Sequence, residues 1–272
     1  RPGPARPGPA RPGHHLTWRL DGISPGRWMA NSITRHQAIH ERQGKESPEG
    51  WQELLMGRRR RPFIFVLAGV NGAGKSSVGG NLLAEHGLPW FNPDGYAREL
   101  MSRLHVTPEE ANAAAWQFGR AQLEEAIANG RNFAFETTLG ASTIPGLLAK
   151  ASASHDVVIW FCGLASVELH LRRVAARVAS GGHDIPEAKI RERWDGSRSN
   201  IIQLLPYLAH LQVFDNSAEA AAGRPIPAPI LLLEIVNGKL LRPDPADPRQ
   251  LEAIPSWAMP LVEGAIRLQD QS

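Results

Sequence analysis

Short apolar runs alternate with helix-like patterns along the chain from residue 62 onward. Most of these runs are continuous rather than alternating, which is typical of strands buried on both faces of a parallel sheet covered by helices. The pattern therefore predicts an α/β fold with a mainly parallel sheet. The predicted strands lie at 63–68, 89–92, 133–135, 157–161 and 212–214.

Capping residues mark the helices between these runs. The segment 107–110, Thr-Pro-Glu-Glu, has the form of a capping box with proline at the first helical position. It predicts a helix from Pro108 to about Asn129. Ser166 is a suitable N-cap for a helix that ends at the glycine pair 181–182, and Pro186 opens another helix.

Changes in composition along the chain predict four segments. An Arg-Pro-Gly-Pro-Ala repeat occupies the first residues and offers nothing apolar to bury, so we expect 1–28 to be disordered or an over-extended start before Met29. A polar segment follows, which could form one helix, and the main domain comes after it. Asn237-Gly238 suits a type I′ turn and predicts a β-hairpin near the end of the chain. The segments are 1–28, 29–61, 62–218 and 219–272, the last being a hairpin and tail packed on the main domain.

The composition argues against several classes of protein and of site. The formal net charge is only +3, which argues against nucleic acid as a partner. Cys162 is the single cysteine, so an intrachain disulfide and a multi-cysteine zinc site are excluded, and a buried apolar position is expected for it. No run approaches the ~20 apolar residues that span a bilayer, so we expect no membrane partner and a cytoplasmic protein.

Candidate chemistry begins after the first predicted strand. The stretch 69–76, Gly-Val-Asn-Gly-Ala-Gly-Lys-Ser, matches the P-loop pattern G-x-x-x-x-G-K-[ST], with a strand before it and a helix after it. Its backbone amides would surround the phosphates of ATP or GTP, Lys75 would reach the β- and γ-phosphates, and the Ser76 hydroxyl would bind Mg²⁺. The predicted nucleotide-binding residues are Gly69, Val70, Asn71, Gly72, Ala73, Gly74, Lys75, Ser76 and Ser77.

Two carboxylates follow predicted strands. Asp94 comes about 20 residues after Lys75, on the predicted loop after the second strand, where α/β sheets gather their ligands. We expect it to act as the general base for an acceptor hydroxyl. Glu136 ends the strand at 133–135, where it would serve either a Mg²⁺-bound water or the acceptor.

The second half of the chain supplies cations. Arginines lie on both helices that flank the glycine pair 181–182, and this arrangement predicts a helical lid whose guanidinium groups fold over the transferred phosphate. Arg177 and Arg191 are favoured because they lie nearest the hinge. Arg193, Ser197 and Asn200 share one helix face, which is either a ligand-binding face or a polar surface stripe.

Together these residues resemble the zeta-toxin family of P-loop kinases, over about residues 63–217. The similar motifs extend beyond the P-loop and are therefore more specific than it. They are Asn92-Pro93-Asp94, Phe135-Glu136-Thr137-Thr138-Leu139, the stretch 181–187 with Ile190, Arg191 and Arg193, and Asp215-Asn216-Ser217.

The resemblance implies a P-loop NTPase fold with a five-stranded, mainly parallel sheet, and ATP- or GTP-dependent phosphorylation of a UDP-N-acetylsugar such as UDP-N-acetylglucosamine. It implies that Asp94 is the general base and that Arg177 and Arg191 act on the γ-phosphate. It further implies an acceptor site at Glu136 and Thr138, which we extend to Arg193 and Asn200, and an antitoxin protein as a partner.

Two other interpretations stay open at this point. A polynucleotide or nucleoside kinase would share the P-loop, the base and the lid but take a different acceptor. A regulatory ATPase would bind nucleotide without transferring a phosphate.

Overall fold

The computed structural model describes residues 61–76, 78–79, 90–182, 184–219 and 227–271 of the chain. The expectations for 1–28 and 29–60 and the contribution of Ser77 lie outside the described residues.

A six-stranded sheet with the order β2-β1-β3-β4-β5-β6 forms the centre of the fold. The first four of these strands are parallel neighbours, whereas β5 and β6 join β4 in antiparallel fashion. The strands are β1 (Phe63–Ala68), β2 (Phe133–Thr137), β3 (Asp156–Gly163), β4 (His210–Asp215), β5 (Ile230–Val236) and β6 (Lys239–Arg242).

Helices flank this sheet. They are α1 (Pro93–Leu104), α2 (Pro108–Ala128), α3 (Thr143–Ala151), α4 (Val167–Ala179), α5 (Glu187–Leu204), α6 (Pro248–Glu252) and α7 (Met259–Asp270), with a 3₁₀ turn at Leu205–Tyr207. A further helix begins at Lys75, directly after the P-loop.

The predicted α/β class with a mainly parallel sheet is confirmed, with two differences in the strands. The predicted strand at 89–92 is a single parallel bridge between Phe91 and Phe135, at the β2 edge of the sheet. The predicted hairpin is present, with Asn237 and Gly238 at φ 48° and 77° in its turn. Its strands β5 and β6 are added to the same sheet beside β4, so the sheet has six named strands and not the five that were expected.

The predicted caps at Thr107 and Ser166 are confirmed. Thr107 and Glu110 form the reciprocal bonds of a capping box at the start of α2, and the Ser166 side chain caps α4. These caps satisfy amide groups that the first helical turn leaves without intrahelical partners.

The two helices of the predicted lid are not equally free to move. The second half of α5 lies in the main core, where Ile201 and Leu204 are buried, and it packs against α7. Gly181 and its described neighbours at the tip of the α4–α5 hairpin lie outside this core. A closing motion would therefore involve this tip and not the second half of α5.

Candidate active site

The P-loop leaves β1 at the carboxyl edge of the sheet and is shaped by three glycines. Gly69, Gly72 and Gly74 adopt φ values of 141°, 83° and 80°, which side chains disfavour. Gly69 also packs on β3, because a Cβ there would lie 2.3 Å from the Cys162 carbonyl oxygen. The loop thus curls tightly before the helix that begins at Lys75, a geometry that suits phosphate oxygens.

Side chains from distant parts of the chain hold this loop in place. The Asn216 side chain, just after β4, donates to the Ala73 carbonyl oxygen at 2.8 Å. His170 on α4 donates from Nδ1 to the Asn71 carbonyl oxygen, also at 2.8 Å. Both bonds fix carbonyl groups on the back of the loop, so that its amide face is left for a ligand.

A buried charge centre lies beside the loop. The Lys75 Nζ is 3.5 Å from the Glu136 Oε1, and both side chains are less than a tenth exposed. The Glu136 Oε2 accepts hydrogen bonds from the Ser76 hydroxyl and from the Asn92 side-chain amide, each at 3.0 Å. A hydroxyl and a carboxylate oxygen in contact form a donor set that suits Mg²⁺, and the buried ammonium suits a phosphate.

Asp94 lies in the first turn of α1, not on a loop as the sequence suggested. Asn92 caps this helix by accepting from the Gly95 amide at 2.9 Å, so its side chain both starts α1 and contacts Glu136. The Asp94 side chain is 58% exposed, and its Oδ2 is 4.0 Å from Nη1 of Arg177 on α4. The predicted base and one predicted lid arginine are therefore neighbours.

Arg193, rather than Arg191, is the α5 arginine that contacts the P-loop in the described part of the chain. Its Nη1 donates to the Asn71 side-chain oxygen at 2.7 Å. Burial lowers the pKa of the Arg193 guanidinium, while the nearby Asp94 carboxylate raises it. Arg193 thus contacts the nucleotide loop and interacts electrostatically with the candidate base.

The role of Arg191 at the γ-phosphate stays a prediction, and in the structure its guanidinium is paired with carboxylates. Its guanidinium forms ion pairs with Glu187 at 2.7 Å and with Glu168 at 3.3 Å, and its side chain is 47% exposed. Hydrogen bonds to Glu187 and then to Glu168 raise its pKa. Two carboxylates thus hold Arg191, which joins the starts of α4 and α5.

The Asn200 side chain supports the loop after β2. Its Nδ2 donates to the carbonyl oxygens of Leu139 and Ala141 at 2.6 and 3.3 Å. Thr138 belongs to the same loop, and its hydroxyl oxygen accepts from the Gly140 amide at 3.5 Å. Asn200 thus positions this loop, and its role toward the acceptor stays a prediction.

His170 and the dual role of Asn92 were missed by sequence reasoning. His170 lies on α4 and is fully buried. The apolar residues that surround it in the sequence were the available signal. Asn216 was noted as part of a motif, but its bond to the loop required the structure.

The thiol and the possible metal ligands of the described residues add no further site. Cys162 is buried as expected, and burial raises the pKa of its thiol to about 12. No cluster of three or more potential histidine, cysteine or carboxylate metal ligands occurs in those residues, and none of their helices has the length and apolar character to span a membrane.

Known proteins share parts of this sequence and fold. Residues 64–198, just under half of the chain, match a family described as an AAA domain. An uncharacterized protein of Haemophilus influenzae is 29% identical over 133 residues, covering 46% of this chain and 88% of that protein.

Solved structures extend the likeness over nearly the whole chain. A crystal structure of AvrRxo1-ORF1:AvrRxo1-ORF2 with sulphate ions has a chain with a TM-score of 0.51 and 13% identity, over 92% of each chain. An AvrRxo1-ORF1:-ORF2 structure with ATP gives a TM-score of 0.50 and 14% identity, again over 92% of each. The fold is thus a P-loop α/β fold with a mostly parallel central sheet flanked by helices.

Proposed function

We propose that this protein is a phosphotransferase that moves the γ-phosphate of ATP or GTP to a hydroxyl group of a small-molecule acceptor. The observation that carries the proposal is the position of Asp94. The Oδ2 atom of this exposed carboxylate is 4.0 Å from Nη1 of Arg177. The carboxylate also acts electrostatically on Arg193, which contacts the P-loop. These contacts connect a proton acceptor and two guanidinium groups to the phosphate loop.

The donor half of the reaction uses the buried charge centre. Lys75 and the loop amides would bind the β- and γ-phosphates, and the phosphates would compete with Glu136 for the ammonium group. Ser76 would hold Mg²⁺ with Glu136 beside it, and the ion would neutralise charge on the phosphate oxygens. The contact between the Ser76 hydroxyl and the Glu136 carboxylate supports this assignment.

The acceptor half uses Asp94. In a loose transition state the attacking hydroxyl loses its proton late, so a carboxylate can orient the hydroxyl and then take the proton. Arg177 is 4.0 Å from this carboxylate and would move toward the transferred phosphate when the acceptor occupies Asp94. The remaining carboxylate, Glu136, is already engaged by Lys75, Ser76 and Asn92. This engagement favours Asp94 as the base.

We further propose the zeta-toxin type of activity, with a UDP-N-acetylsugar as the acceptor and an antitoxin as the partner. The resemblance of the motifs around Asp94, Glu136 and Thr138 supports the acceptor. The similar chain comes from a crystal structure of AvrRxo1-ORF1:AvrRxo1-ORF2, and this complex supports a protein partner for the present chain as well.

A labelled-phosphate assay tests the proposal. The full chain is incubated with γ-labelled ATP or GTP and Mg²⁺, with and without UDP-N-acetylglucosamine, other hydroxyl acceptors or RNA ends. Label in a small-molecule acceptor is expected. Label in RNA ends, or nucleotide binding with no transfer to any acceptor, would contradict the proposal.

Asp94→Asn tests the base within the same assay. This variant should bind nucleotide as the wild type does and lose transfer by about 100-fold or more. Asp270→Asn, at the exposed end of α7, is the matched control and should transfer normally. Transfer by Asp94→Asn at the wild-type rate would refute the assigned role.

A further inference from the structure

Asn71 contacts both helices of the α4–α5 hairpin from within the P-loop. Its carbonyl oxygen accepts from His170 on α4 at 2.8 Å, and its side-chain oxygen accepts from Arg193 on α5 at 2.7 Å. The residue is only 6% exposed. The helix α4 thus contacts the backbone of this loop residue, and α5 contacts its side chain.

The bond from His170 fixes the backbone at Asn71. A carbonyl oxygen can only accept, so Nδ1 must carry the proton, and burial keeps the ring neutral by lowering its pKa to about 4. The imidazole also packs edge-on against Trp194, the neighbour of Arg193, with ring centroids 5.3 Å apart. The orientation of Asn71 is therefore set by contacts that do not involve a nucleotide.

The bond to Arg193 holds a cation without neutralising it. Among the described residues, no carboxylate lies within ion-pair distance of Arg193, whereas Arg191 has two. An amide oxygen is a neutral acceptor, so the guanidinium keeps its full charge and its other N–H groups for a phosphate. Arg193 is further fixed by its close contact with the Gly140 backbone.

We infer that Asn71 is a positioning residue that presents Arg193 to the terminal phosphate of the nucleotide, with His170 fixing the orientation of Asn71. The α5 helix and the P-loop then form one prearranged unit, and the arginine does not have to be delivered by lid closure. This inference rests on the proposed function, since it assigns a role toward the bound triphosphate.

A double-mutant cycle on nucleotide affinity tests the inference without any acceptor. Dissociation constants for the non-hydrolysable ATP analogue AMPPNP and for ADP are measured by calorimetry with Mg²⁺, and their ratio reports contacts to the γ-phosphate. Arg193→Ala should reduce the preference for the triphosphate by about 10- to 100-fold. Asn71→Ala should reduce it by about three- to tenfold, because Arg193 is no longer held in place.

The double variant decides the question. If Asn71 acts through Arg193, adding Asn71→Ala to Arg193→Ala should leave the ratio unchanged. Asn216→Ala is the matched control, since this asparagine also bonds to the P-loop but does not touch Arg193. Its effect should multiply with that of Arg193→Ala. Where Asn71→Ala lowers the melting temperature, Asn71→Ser is used in its place.

The outcomes separate the two proposals. Independent, multiplying effects of Asn71→Ala and Arg193→Ala overturn the inference and leave the proposed function standing. An unchanged triphosphate preference in Arg193→Ala also overturns it. Failure of the wild-type protein to bind any nucleotide contradicts the proposed function itself, and with it the role assigned to Asn71.

Discussion

The contact between α5 and the loop after β2 leads to a quantitative prediction about two glycines. A Cβ on Gly196 would lie 2.3 Å from the Gly140 carbonyl oxygen, so the helix backbone rests directly on the loop. In Gly196→Ala the two segments must separate by about 0.7 Å before this contact reaches even 3.0 Å. Arg193 and Asn200 would move with the helix.

The expected magnitude combines two opposing effects. Alanine favours a helix interior over glycine by about 1 kcal/mol, whereas overpacking of a buried contact costs about 1–3 kcal/mol. We therefore expect Gly196→Ala to lower the free energy of unfolding by about 1 kcal/mol. Gly146 lies within α3, where nothing is within 4 Å of the added methyl group. Gly146→Ala should raise the free energy of unfolding by about 0.5–1 kcal/mol.

Urea denaturation of the two variants measures this difference. The denaturation midpoints should move in opposite directions from that of the wild type, with unchanged slopes. A midpoint for Gly196→Ala that rises as far as the midpoint for Gly146→Ala would refute the close approach of α5 to Gly140. The triphosphate preference of Gly196→Ala should also fall, because the Arg193 guanidinium is displaced.

Three further predictions concern buried groups. Lys75→Met should abolish nucleotide binding. It should also destabilise the protein by about 3 kcal/mol in thermal unfolding, because the Glu136 carboxylate stays buried without its cation. Adding Glu136→Gln should restore most of that stability. Cys162, with a thiol pKa raised to about 12, should resist alkylation in the native protein at pH 8 and react on unfolding, as mass spectrometry would reveal. Burial lowers the pKa of His170 to about 4, so as the pH falls from 6.5 to 4 the unfolded chain takes up a proton at this residue before the folded chain does. The free energy of unfolding should therefore fall by about 3 kcal/mol over this range. His170→Gln should remove that loss.

Local signals in the sequence were sufficient for much of the fold. The P-loop, the capping box at Thr107 and the Asn237-Gly238 turn each depend on residues within a few positions of one another, where spacing alone constrains the backbone. The edge strand at 89–92 was overestimated because apolar composition does not reveal how many residues pair.

The partners of the site could not be predicted in the same way. His170 and Arg193 reach Asn71 from 99 and 122 residues away in sequence, and Asn216 reaches Ala73 from 143 residues away. Arg191 and Arg193 differ by only two positions on a helix, so their side chains point in different directions. Choosing between them required the rotation of α5 about its axis, which is set by packing and not by the distance to the glycine hinge.

The helix α5, the strand β4 and the final hairpin share one core. This shared core determines where the chain can be truncated. The region that matches the AAA domain family ends at residue 198, within α5 and before Asn200 and the whole of β4. Beyond it, Trp257 packs so closely on Gly163 at the end of β3 that a Cβ there would lie 2.1 Å from the indole ring. A truncated version ending near 198 would lose β4 together with this indole, and one ending near 218 would lose the indole and leave β4 as an unpaired edge strand. Expression boundaries, and any fusion or reporter, therefore belong after α7.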